Sequence, residues 1–220
     1  MADPTDTALA ASGYALVLPT GWRRIPVRHG TTPAIRGVVD EVLRRYSTGV
    51  SRDKLTPYRI DLERRLSDMA KRARPAGGVD LYLPIEYTHG VTITASFVVS
   101  QITLPDPPAE AAEAEQADAA QLVAYLTSGA GDASAAEIAG AAAARKESVA
   151  AADPAQQMPY GSRRVDYTVP VPGHSRGVLV VTFSTIGDGD PDGEFAKLLV
   201  VLFDAIMTTF RWTTNQVTDE

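Results

Sequence analysis

Cysteine is absent from all 220 residues, and that absence removes disulfide staples, thiolate metal sites and thiol nucleophiles together. Histidine is nearly absent. Its three occurrences, His29, His89 and His174, each adjoin a glycine. No G-x-S-x-G elbow accompanies them, so they read as turn histidines rather than as bases beside a nucleophile. Neither G-x-x-x-x-G-K-[ST] nor a strand-linked G-x-G-x-x-G occurs, which leaves nucleotide binding without a phosphate cradle. Long apolar runs are missing as well. The longest, Phe195 to Phe210, is interrupted by Lys197 and Asp204 and is shorter than the roughly 20 residues a bilayer span requires. The N-terminus carries Asp3 and Asp6 where a signal peptide places Lys or Arg. We therefore expect a cytoplasmic protein with no export signal and no membrane insertion.

Positive charge is in deficit overall, with a formal net charge of −6, which disfavours nucleic acid as a partner. The distribution is uneven. Residues 1–80 carry 14 Lys and Arg against 9 Asp and Glu, whereas residues 81–160 carry 2 against 10. A basic lobe thus precedes an acidic stretch. With 45% hydrophobic residues the chain can bury one core. It reads as a flexible leader over 1–12 and a single domain over 13–220, with an Ala/Pro-rich acidic insertion at about 105–160.

Periodicity supplies the elements. Tyr14 to Leu18 is a short β-type run closed by Pro19, and Thr20-Gly21 makes a turn that presents Trp22. Thr32-Pro33 and Thr56-Pro57 both read as helix starts. The first opens a stripe of Ile35, Val38, Val39, Val42, Leu43 and Tyr46; the second opens Tyr58, Leu62, Leu66, Met69, Ala70 and Ala73. The period then drops to two. Val79 to Tyr87 alternates and, after His89-Gly90, runs on to Leu104, giving a hairpin in which Pro84 demands an edge position or a bulge. Gln121 to Leu126 is amphipathic and helical. Ser134-Ala-Ala-Glu137 matches a capping box, and the alanines after it have high helix propensity. A second hairpin spans Val165 to Ile186, and a last helix starts at Asp190 or Pro191. Hairpins outnumber βαβ units, so the class is α+β with a mostly antiparallel sheet flanked by helices.

The opening YALVLPTGW and the closing DYTVPVPG, VLVVTFST and FDAIMTTFRW resemble the superfamily that includes the photosystem PsbP subunits, the Ran-binding nuclear import factor, LpqN-type actinobacterial lipoproteins, DcrB and the Eag effector chaperones. The resemblance implies an α/β/α sandwich, the PsbP-like fold, whose members mostly bind other proteins. It also implies that Ala139 to Arg145 forms a strand, against the propensity for helix, and both readings stay open. The lipobox Cys of the LpqN-type proteins is missing here, which argues against a lipid anchor.

Function is expected on the same footing. The leading reading is a non-catalytic protein-binding module without cofactor or metal, a chaperone or adaptor for a secreted effector in a secretion system; an immunity-type inhibitor and a small-molecule or calcium sensor are alternatives. Calcium enters because Asp188-Gly-Asp190-Pro-Asp192-Gly193 reproduces the first six positions of a calcium loop, but position twelve is the apolar Leu199. Two surfaces are candidates for a partner, either another protein or a second copy in a homodimer. Winding the last helix at about 100° per residue leaves Val200, Val201 and Met207 beside Asp204, opposite an inward face of Phe195, Leu198, Leu199, Leu202, Ile206 and Phe210. The other surface is Trp22 with Arg23, Arg24 and Arg28, which lack the i,i+4 acidic partners that serve most of the helical arginines.

Overall fold

A computed structural model describes residues 11–46, 51–87, 90–104, 119–128, 132–152 and 160–214. Its elements run β1 (Gly13–Ala15), β2 (Trp22–Pro26), α1 (Thr31–Tyr46), α2 (Arg52–Ala73), β3 (Gly78–Pro84), β4 (Ala95–Thr103), α3 (Ala119–Thr127), β5 (Ser134–Ile138), β6 (Ala141–Ala150), β7 (Ser162–Pro170), β8 (Gly177–Thr185), α4 (Glu194–Thr208) and β9 (Arg211–Thr213). Seven strands make one sheet in the order β2-β3-β4-β8-β7-β6-β5, and β1 pairs with β9 in a separate ribbon. Every pairing is antiparallel. The fold is α+β, a sheet flanked by helices.

Strand alternation sorts the apolar side chains onto two faces. Phe97, Val99, Val165, Tyr167, Val181 and Phe183 meet Leu199, Phe203, Ile206 and Met207 of α4 in one cluster. Phe203 anchors it, with ring centroids 4.7 Å from Phe183 and 5.5 Å from Phe97. Ile25, Leu81 and Val98, one residue out of phase, meet Ile35, Val38, Val39 and Leu66 of α1 and α2 in the other. Helix α3 lies against β6 and β7.

Residues 134–150 form the β5–β6 hairpin, not a helix, and β6 pairs with β7 from Ala144 to Ala150. Ala139 and Gly140 both have positive φ, 52° and 76°, the conformation a two-residue hairpin turn requires. Alanine's methyl group is accommodated in an extended backbone, so pairing with the open edge of β7 overrides its high helix propensity. Two prolines also depart from expectation. Strand β3 is interior rather than an edge, with Pro84 as its last residue and the register shift at the other end, between Gly78 and Asp80. Helix α2 starts at Arg52, and Pro57 lies inside it, where its missing N–H withholds a single hydrogen bond.

Candidate functional site

The expected Trp22 surface divides three ways. Gly21, at φ +86°, turns the chain straight into β2, an element hidden in the sequence by its paired arginines. Trp22 is therefore not presented by a turn. It is 4% exposed and packs against Phe97 in the α4-side core. Period two then sends consecutive arginines to opposite faces. Arg23 goes toward α1, where it meets Glu41 and lies 3.7 Å from Glu86; Arg45 bridges the same two carboxylates at 2.9 and 2.7 Å. These pairs hold the Arg23 and Arg45 guanidinium groups above their ordinary pKa and the Glu41 carboxyl below its own. Arg24 goes the other way. Its Nε donates at 2.7 Å to Asp80, a carboxylate with no exposed surface. Arg28, exposed beyond the strand, donates to the Gly77 carbonyl at 3.2 Å.

Asp80 is the deepest charge among the described residues. Its second oxygen accepts from the Tyr14 hydroxyl at 2.5 Å, and that hydroxyl also lies 3.0 Å from Tyr82 Oη. Burial, then the neighbouring Tyr82 and Asp80, push the Tyr14 phenol far above its ordinary pKa. A parallel arrangement ties α4 to the sheet. Asp204 accepts two hydrogen bonds from Arg145 of β6 and one from the Tyr167 hydroxyl. Burial, reinforced by Asp204, raises the Tyr167 phenol to about 12.

These raised phenols set an expected pH dependence. The folded state holds the protonated form, so its stabilisation is complete below the ordinary phenol pKa of 10.0 and is lost as pH rises from there toward 12. Urea unfolding midpoints are expected to fall steeply between about pH 10 and 11.5. Tyr167→Phe should flatten that fall.

The α4 surface also differs from expectation. Val200 and Met207 are 5% and 1% exposed and sit in the core with Phe203, whereas Val201 is 64% exposed and Leu198 61%. The buried stripe is rotated by about 70° from the one expected, because Phe203 lies at its centre. Asp204 consequently reaches Arg145 of β6 and Tyr167 of β7 while staying partly exposed. Leu198 and Val201 are the large apolar side chains this helix leaves in water.

The remaining sequence candidates have internal uses. Asp192 pairs with Arg163 at 2.8 Å, and the Asp190 carboxylate accepts the Asp192 backbone N–H. Two of the three calcium-loop carboxylates are thus engaged within the chain, and no group of three potential metal ligands occurs among the described residues. His29 and His174 are exposed at turns, and His89 lies outside the described residues. No described helix is long and apolar enough to cross a membrane.

An apolar opening lies elsewhere. A groove of about 540 Å3 runs between the α1–α2 hairpin and the end of β3. Along α1 and α2 the apolar stripes pass from buried Val38, Val39 and Leu66 to half-buried Val42, Leu62 and Met69. Leu83, Ile85 and Ile93 line the sheet side. At Thr92 the groove meets a second hollow of about 700 Å3, lined by Val91, Tyr160, Phe195 and the 186–189 turn. Tyr87, Val91 and Tyr160 on these walls are 57%, 46% and 61% exposed. Tyr58 of α2, two turns from Leu66 on the same stripe, is 66% exposed. Sequence periodicity missed this site because a half-covered stripe has the same spacing as a covered one. The tyrosines beside turn residues are the signal that distinguishes it, since exposed tyrosine is enriched where proteins meet.

The class defined by this fold and groove is an α+β domain with an open apolar channel beside its sheet. Comparison with protein-family models, curated proteins and solved structures returns no match.

Proposed function

We propose that this chain is a non-catalytic protein-binding module, a chaperone or adaptor, that holds an apolar segment of a partner protein in the groove between α1, α2 and β3. The groove itself carries the reading: its volume falls in the range of formed binding sites, and its walls are apolar with tyrosines at the rim. The PsbP-like resemblance of the two chain ends supports the same class. Charge selects the partner segment. Helices α1 and α2 together carry ten Lys and Arg against six Asp and Glu in a chain whose net charge is −6; of the charged residues on the groove wall, Glu86 is bridged by Arg45, and Arg65, paired with Asp61, is 70% exposed. An apolar segment flanked by acidic residues fits this surface. The exposed ridge of α4 is the weaker docking face, because Leu198 and Val201 supply a small part of the roughly 800 Å2 per partner that a stable interface buries.

A direct test uses synthetic amphipathic peptides of about 16 residues, long enough to span about 24 Å as a helix. The set is identical in apolar face and flanked by acidic, neutral or basic residues. Fluorescence anisotropy is expected to rank acidic above neutral above basic. Leu62→Glu should abolish binding of all three, and Arg65→Glu, at an exposed position, should weaken the acidic peptide about tenfold while sparing the neutral one. Equal binding of every peptide by wild type and both variants would overturn the groove as the site, as would no binding of any peptide to the wild type.

A further inference from the structure

A separate hollow of about 320 Å3 opens on the α4 side of the sheet, between the β1–β9 ribbon and the start of β3. It differs from the groove in kind. Its charged lining is Arg24, Arg28 and Asp80, with the Gln101 amide beside them. Both Asp80 oxygens already accept a hydrogen bond. One is taken by Arg24 Nε and the other by the Tyr14 hydroxyl. The hollow therefore presents two guanidinium groups against one neutralised acid, an excess of positive charge within an acidic chain.

The way Arg24 is held is informative. A carboxylate with no exposed surface is a costly way to fix one arginine. Asp80 engages it through Nε, and among the described residues its two Nη groups donate to nothing. The side chain is 58% exposed. The guanidinium is thus held through Nε on the wall of the hollow, and a guanidinium fork matches an oxyanion bidentately. Among the described residues Arg28 makes one side-chain hydrogen bond, of 3.2 Å to the Gly77 carbonyl, and its remaining donors have no described partner. Gln101 supplies an uncharged donor on the same wall.

We propose that this hollow binds a small oxyanion, the phosphate or carboxylate group of a small molecule, between the Nη groups of Arg24 and the guanidinium of Arg28. The site is independent of the groove, because it lies on the opposite face of β2 and β3 and shares no lining residue with it.

Trp212 lines the hollow, so its indole N–H resonance, assigned by Trp212→Phe, reports occupancy locally. Titration with inorganic phosphate and, separately, with succinate at low ionic strength is expected to shift this resonance saturably, with a dissociation constant on the order of 1 mM or below for the better anion. Phosphate tighter than succinate identifies a phosphate ligand, and the reverse order a carboxylate; either supports the site. Arg28→Ala, which removes an exposed side chain, should weaken binding about tenfold with the fold intact. Arg24→Lys keeps a cation beside Asp80 but removes the fork, and should weaken binding similarly. The proposal is overturned if neither anion shifts the resonance, if sodium chloride at matched ionic strength shifts it equally, or if both variants bind as the wild type does.

Discussion

Arg24→Ala is expected to lower the free energy of unfolding by about 3 kcal/mol, and Arg23→Ala, one residue away, by about 1 kcal/mol or less. The contrast follows from what each leaves behind. Removing Arg24 strands Asp80, whose side chain has no exposed surface, with the Tyr14 hydroxyl as its one remaining side-chain partner among the described residues. A buried charge stripped of its counter-ion typically costs about 3–5 kcal/mol, and the lower end applies because Arg24 is 58% exposed and its own charge stays solvated. Removing Arg23 leaves Glu41 and Glu86 still bridged by Arg45 at a partly exposed site. Urea unfolding of the two variants decides between this account and one in which both arginines are surface decoration. Asp80→Asn should fall between them, since the amide keeps an acceptor for Arg24 and removes the buried charge. Equal losses for Arg23→Ala and Arg24→Ala would show that Asp80 does not depend on its clamp.

The neighbours Arg23 and Arg24 also show where sequence reading stops. As residues of one turn they would share a surface; as residues of a strand they belong to opposite faces. The strand was concealed because Trp-Arg-Arg-Ile-Pro lacks alternation, and only pairing with β3 extends it. Where alternation or a helical stripe is long, as in β4, β7, β8, α1 and most of α2, the class of each element follows from the residues alone, because burial of one face imposes the period. Alanine carries little such information. Residues 134–150 satisfy a helix propensity scale and still form a hairpin, since the choice is made by the unpaired edge of β7. The groove is invisible for a related reason. Leu62 and Met69 have the spacing of core residues, and their partial exposure depends on how far the sheet extends beneath them.

The same limit applies to the rotation of α4, where it has the largest energetic consequence. An aspartate at position 200 or 207 is expected to cost more than about 4 kcal/mol, whereas Val201→Asp should change stability by about 0.5 kcal/mol or less. Val200 and Met207 lie in the cluster built around Phe203 and are 5% and 1% exposed. A carboxylate there either ionises without a counter-ion or unfolds the helix from the sheet. Val201 is 64% exposed on the opposite side, where an aspartate remains in water. Wheel arithmetic alone assigns positions 200, 201 and 207 to one surface, so the three substitutions test the rotation of the helix and not merely its hydrophobicity. Circular dichroism and urea midpoints for Val200→Asp, Val201→Asp and Met207→Asp are expected to divide two against one. Three equally stable variants would place α4 about 70° from its position here and return Val200 and Met207 to the surface; three unfolded variants would mean that Val201 is covered in solution, as it would be at a partner interface.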